Sequence, residues 1–166
     1  MEYGGFPEVV DTENAEKKRE ILRRYVETIL IKDVKKRYNI REVEYLDFLA
    51  SYYLSNISSL ISFNRLSKLL KIPVKTVERY SKYLETSRMI FFIPKFSFSL
   101  KERKISPRKV YSIDTGISNV YGFKFMENYG KLMENIVAID LLRTKKEIYY
   151  FKDYQQREVD FIVKEG

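Results

Sequence analysis

The chain has 166 residues, 45% of them hydrophobic, with 14 Tyr and 11 Phe, which is enough core material for one ordinary domain or two small ones. Cysteine and histidine are absent, which excludes a disulfide framework, a Cys/His zinc site, a thiol nucleophile and a Ser-His-Asp triad. Lys and Arg (31) outnumber Asp and Glu (23), and the resulting +8 charge favours contact with polyanions.

Catalysis, if any, is therefore left to carboxylates, Lys, Tyr or Ser, with Mg²⁺ as the fitting oxygen-ligated metal. No apolar run reaches the roughly 20 residues that cross a bilayer, and no signal peptide opens the chain. The expectation is a soluble cytoplasmic protein with no membrane partner. Abundant Lys and Glu give it a thermophile-like composition.

In chain order, residues 1–16 read as a loop broken by Gly4, Gly5 and Pro7. A long helix is predicted over about 15–38, where Leu22, Tyr25, Val26 and Ile29 form an apolar stripe at helical spacing. A second helix spans about 41–55, and 55–62 reads as a connection. Short helices follow at about 63–70 and 74–87, with Pro73 suited to a helix start. Met89 to Ile93 is a strand ended by Pro94. Phe96, Phe98 and Leu100 alternate with polar residues as a one-sided strand does. The basic loop KERKISPRK leads to a strand at Val110–Ile113. Asp114-Thr115-Gly116 then caps a short helix, followed by a loop containing Gly and Asn. A helix at about 130–144 and strands at about 147–151 and 157–163 complete the chain.

The order helix, helix, turn, helix, strand, strand over 43–113 is that of a winged helix. In its third helix Val77, Tyr80 and Leu84 share one face, which leaves Lys75, Thr76, Arg79 and Lys82 on the other. Lys101, Arg103, Lys104, Arg108 and Lys109 make the neighbouring wing basic. Such a helix and loop suit the phosphates on both sides of a DNA groove.

Two carboxylates near the end suggest different chemistry. Glu134 has Gly130, Lys131, Val137 and Ala138 at helical spacing, and three of these four offer it no charge partner. Asp160 shares a strand face with Glu158 and Ile162. Together the two acids are candidate ligands of one Mg²⁺ that activates water for phosphodiester hydrolysis. The alternative is that Glu134 pairs with Lys131 and that Asp160 is a half-exposed strand acid.

The segments GGFPEVV, RRYVETILIKDV, PRKVYSIDTGI, GKLMENIVAIDLL, YYFKD and REVDFIV, in this order, resemble the C-terminal region of prokaryotic AAA+-class ATPases, a domain of unknown function. The resemblance covers nearly the whole chain. It implies a winged helix followed by a fold similar to PD-(D/E)XK nucleases, with Glu134 and Asp160 at the family's helix and strand acids. The Glu/Gln-x-Lys element of that pattern has no match here. Lys164 is four strand residues, roughly 13 Å, from Asp160. No GxxxxGK[ST] loop occurs, so ATP binding is expected only of an ATPase domain elsewhere.

The reading is thus α+β, with an N-terminal loop and helix (1–42), a winged helix (43–109) and an incomplete restriction-endonuclease-like unit (110–166). The expected function is DNA binding as a module of an AAA+-type ATPase. The alternatives are a Mg²⁺-dependent nuclease, here incomplete, and a protein-interaction scaffold. Partners on this reading are DNA, the ATPase domain, and a second copy paired through a sheet edge.

Overall fold

A computed structural model describes residues 2–123 and 128–165. The fold is α+β, with helices and two small antiparallel sheets. The start is more ordered than its Gly-rich sequence suggests. Residues 2–6 lead into a single turn of helix, α1 (Pro7–Val10), with Pro at the first helical position. Helix α2 (Ala15–Thr28) begins where the Asn14 side chain accepts the Lys17 N–H, and continues as a π-helical segment over Ile29–Lys36. Ile21, Leu22, Val26, Leu30 and Val34 are buried along this path.

Helix α3 (Val43–Ser55) leads to strand β1 (Ser59–Ile61), helices α4 (Phe63–Leu70) and α5 (Val74–Thr86), and strand β2 (Ile90–Ile93). Lys71, in the left-handed region at φ 56°, ends α4, and Pro73 starts α5. Strand β1 lies in the stretch read as a connection. Three residues are too short to show alternation, and β1 forms because it pairs with one side of strand β3 (Arg108–Ser112). Strand β2 pairs with the other side, giving the order β1-β3-β2.

The expected strand over Phe96–Leu100 does not form: residues 96–99 are irregular and Leu100 opens a helix, α6 (Leu100–Ile105). Ser99 and Glu102 have capping-box spacing, and the Ser99 hydroxyl accepts the Glu102 N–H. The Glu102 carboxylate meets Lys95 at 2.8 Å and the Ser97 hydroxyl at 2.7 Å. Pairing with β4 stops after Lys95 and Phe96, where these local bonds take over.

Helix α7 (Thr115–Tyr121) follows, capped by Asp114. The Gly- and Asn-containing connection predicted next falls partly on residues 124–127, outside the described residues. Helix α8 (Tyr129–Arg143) and the hairpin of β4 (Glu147–Lys152) and β5 (Glu158–Lys164) complete the fold. The hairpin joins the rest at the end of β2, where Tyr150 donates its N–H to the Pro94 carbonyl and accepts the Phe96 N–H.

Strand β3 divides the interior, because successive side chains point to opposite faces. Val110 belongs to the main core with α2, α3, α4 and α5. Tyr111 faces a second cluster with Phe91, Ile93, Ala138 and Tyr150. The sequence boundary at 109/110 therefore falls inside β3, the strand that both cores share.

Candidate functional site

Two of the predicted residue groups are brought to definite places. On α5, Val77, Tyr80 and Leu84 are buried, and Lys75, Arg79 and Lys82 are exposed on the opposite side, with Thr76 half-buried. Arg79 lies over the Tyr80 ring at 5.6 Å, and Lys82 pairs with Glu85 at 2.8 Å. Lys101 and Lys104 project from α6 into solvent.

The remaining wing residues differ from that expectation. Arg103 is half-buried, donating to the Ser97 carbonyl at 2.6 Å and lying over the Tyr149 ring at 5.4 Å. Arg108 lies over the Phe63 ring at 5.3 Å. Lys109 leaves the surface altogether, with 2% of its area exposed. The cause is register: Lys109 and Tyr111 are two residues apart on the central strand, so both point into the second cluster.

There Lys109 organises the acids. Its Nζ lies 3.0 Å from Glu134 Oε1, 2.6 Å from Glu158 Oε1 and 2.6 Å from Asp160 Oδ1. Tyr111 donates its hydroxyl to Glu134 Oε1 at 2.8 Å, and Lys152 reaches Glu158 Oε2 at 3.2 Å. Glu134 thus pairs with Lys109 rather than Lys131, whose ammonium bonds to the Ser59 hydroxyl at 2.7 Å. Glu158 and Asp160 reach the same ammonium because both lie on one face of β5. Burial alone would lower the Lys109 pKa, but its bonds to Asp160, Glu158 and Glu134 hold it above the ordinary lysine range. For Tyr111, burial and then the Glu134 carboxylate push the hydroxyl far up. Burial opposes ionisation of Glu158, yet Lys109 and Lys152 hold it below the usual carboxylate range.

Helix α8 is fixed against β3 by Asn135, which neighbours Glu134. Its side chain has no exposed surface, accepting the Ser112 N–H at 2.8 Å and donating to the Ser112 carbonyl at 2.9 Å. The amide thereby serves as a strand partner for the end of β3. Asn135→Leu should lower stability by about 2 kcal/mol, since two buried backbone groups lose their partners. Urea titration measures that loss.

The arrangement does not fit Mg²⁺. The point on which Glu134, Glu158 and Asp160 converge is filled by an ammonium. Among the described residues no three His, Cys, Asp or Glu are grouped so as to hold a metal ion. Of this cluster, Glu158 carried a signal in its i, i+2 relation to Asp160. Nothing local marked Lys109, whose sequence context is a basic loop.

The chain belongs to the family described as Domain of unknown function (DUF8612), whose pattern matches residues 1–125, and Domain of unknown function (DUF4143) matches residues 129–166. The Lys109 cluster thus joins the two matched regions. Among particular proteins, the chain is 31% identical to "Uncharacterized protein MJ1544" of Methanocaldococcus jannaschii, over 98% of this chain and 38% of that protein. It is 25% identical to an "Uncharacterized protein" of Haemophilus influenzae, over 99% of this chain and 42% of that one. The chain therefore spans about two fifths of the length of the curated relatives it matches. No solved structure matches it. Among the described residues no helix is long and apolar enough to cross a membrane.

Proposed function

We propose that this chain is a nucleic-acid-binding module, most simply for duplex DNA, that works beside an AAA+-type ATPase domain. In this reading α3, β1, α4, α5, β2 and β3 form a winged helix, with α5 as the recognition helix and residues 94–107 as the wing. The observation that carries it is the division of α5 between a buried apolar face and an exposed face bearing Lys75, Arg79 and Lys82. Lys101 and Lys104 on α6 add exposed charge, and the whole chain carries +8. Lys and Arg contacts to phosphate give affinity, with little selection among sequences.

The reading is tested by titrating a labelled duplex at rising salt. Binding is expected to weaken linearly on a log–log plot. Arg79→Ala should weaken it about tenfold and make the salt slope shallower by about one. Affinity insensitive to both salt and this substitution would remove the proposal. The nuclease reading has less support. Glu134 and Asp160 both face Lys109, and no hydrolytic step is assigned to them. Pairing with a second copy stays a proposal; the exposed apolar stripe of Tyr129, Met133 and Val137 on α8 gives it a surface.

A further inference from the structure

A cavity of about 330 Å³ opens between the turn at Tyr38–Glu42 and the outer side of α5. That volume lies within the range of small-ligand sites. One wall is aromatic. Tyr38 and Tyr83 stack at 3.6 Å with their rings 8° apart, and Tyr80 follows at 6.2 Å from Tyr83. Arg41 and Arg79 line the same cavity, both are exposed, and neither makes an ion pair among the described residues. Glu42 is the single acid of the lining. The basic run Lys35, Lys36 and Arg37, all exposed, enters the turn from the other side.

Each part of this lining selects a different part of a ligand. The half-buried Tyr38–Tyr83 pair offers a flat π-surface on which a nucleobase gains contact regardless of its identity, with the buried Tyr80 backing it. A guanidinium presents a planar fork that matches phosphate oxygens, and two guanidiniums at one rim with no carboxylate paired to them among the described residues call for an anion, although Arg79 also lies over the Tyr80 ring. Glu42 supplies an acceptor for a ribose hydroxyl or a base amino group. A ligand with phosphate alone would leave the ring wall unused, and one with a base alone would leave the arginines unused.

We propose that this cavity binds a nucleoside monophosphate group, either as a free nucleotide or as the 5′-phosphorylated end of a single strand. Arg41 and Arg79 hold the phosphate, and the base stacks on the Tyr38–Tyr83 pair. The strand-end form deepens the nucleic-acid reading and rests on it, whereas the free-nucleotide form stands without it.

The test is calorimetric titration of the whole chain with AMP, adenosine and inorganic phosphate, beside short single strands with 5′-phosphate or 5′-hydroxyl. AMP is expected to bind about tenfold more tightly than adenosine or phosphate, and Arg41→Ala to remove about tenfold of that affinity. Arg41 shares the cavity rim with Arg79, which serves both surfaces, but is not itself assigned to the duplex, so Arg41→Ala should weaken duplex binding less than Arg79→Ala does. A tenfold preference for the phosphorylated strand assigns the strand end. Equal binding of the two strands with AMP affinity intact assigns the free nucleotide. The proposal is overturned if AMP binds no better than adenosine and phosphate, or if Arg41→Ala keeps full AMP affinity. Duplex binding without any nucleotide preference sinks the cavity alone. Nucleotide binding without duplex binding sinks the duplex reading alone.

Discussion

Replacing Lys109 by methionine should lower the stability of the fold by about 3 kcal/mol, because removing one partner strands the charges it held. Methionine keeps most of the volume and the unbranched shape, so the loss is electrostatic rather than steric. Tyr111 would still serve Glu134, and Lys152 would still serve Glu158. Asp160 is half-exposed and its share of the loss is small. The cost falls mainly on the two more buried acids and on their mutual repulsion. A fall of that size is a large part of the 5–15 kcal/mol that stabilises a typical domain. An unchanged urea midpoint at neutral pH would show that Lys109 does not hold the cluster together.

The pH dependence gives the same prediction an independent sign. Glu158 has a depressed pKa in the fold, so its contribution is present above the ordinary carboxylate pKa and lost as pH falls through the folded value. Lys109 has a raised pKa, so its contribution is full below the ordinary lysine pKa and is lost as pH rises through the folded value. The native chain should therefore lose stability on acidification. The Lys109→Met chain should lose less on acidification, because protonation then relieves the repulsion among acids that have lost their shared ammonium. Adding Glu134→Gln to Lys109→Met should restore part of the neutral-pH loss. Chevron or equilibrium urea data at several pH values separate these outcomes.

The second large effect is expected at Asp114. Its carboxylate accepts the N–H groups of Gly116 at 2.8 Å and Ile117 at 3.2 Å, which caps α7. It also accepts the Gly5 N–H at 2.7 Å, across 109 residues of chain. Asp114→Ala should cost about 3 kcal/mol, of which the cap accounts for 1–2 and the abandoned Gly5 donor for the remainder. The contact is close enough to restrict the neighbouring residues. Gly4 has φ +72°, and a Cβ there would lie 1.9 Å from Asp114 Oδ1. A Cβ at Gly116 would lie 2.3 Å from the Tyr3 carbonyl oxygen. Thermal unfolding measures the stability loss in Asp114→Ala. Hydrogen exchange at residues 5–10 should rise in the same variant, and a normal exchange pattern there would reduce Asp114 to a helix cap.

This clasp holds in place a stretch that is loop apart from the single helical turn Pro7–Val10. Two glycines and a proline are loop signals when only neighbours are considered. In the fold, Gly4 and Gly5 let the backbone approach a carboxylate from the far end of the domain. The missing strand at 96–100 shows the opposite case, in which a local signal is present. Ser99 and Glu102 specify a helix start, which ends the alternation of Phe96, Phe98 and Leu100 at its last residue.

Sequence alone determined the α+β class, the helices from α2 to α5 and the apolar face of α5. Each depends on a periodicity of 3.6 or 2 residues, and such patterns are written along the chain. Only the tertiary structure decided that Lys109 leaves the wing for the interior, where its hydrogen-bonded partners Glu134 and Asp160 lie 25 and 51 residues away. The alternation of β3 puts that lysine on an inward face. An ammonium taken out of water is stable only where carboxylates meet it, and their arrival depends on how α8 and the hairpin dock.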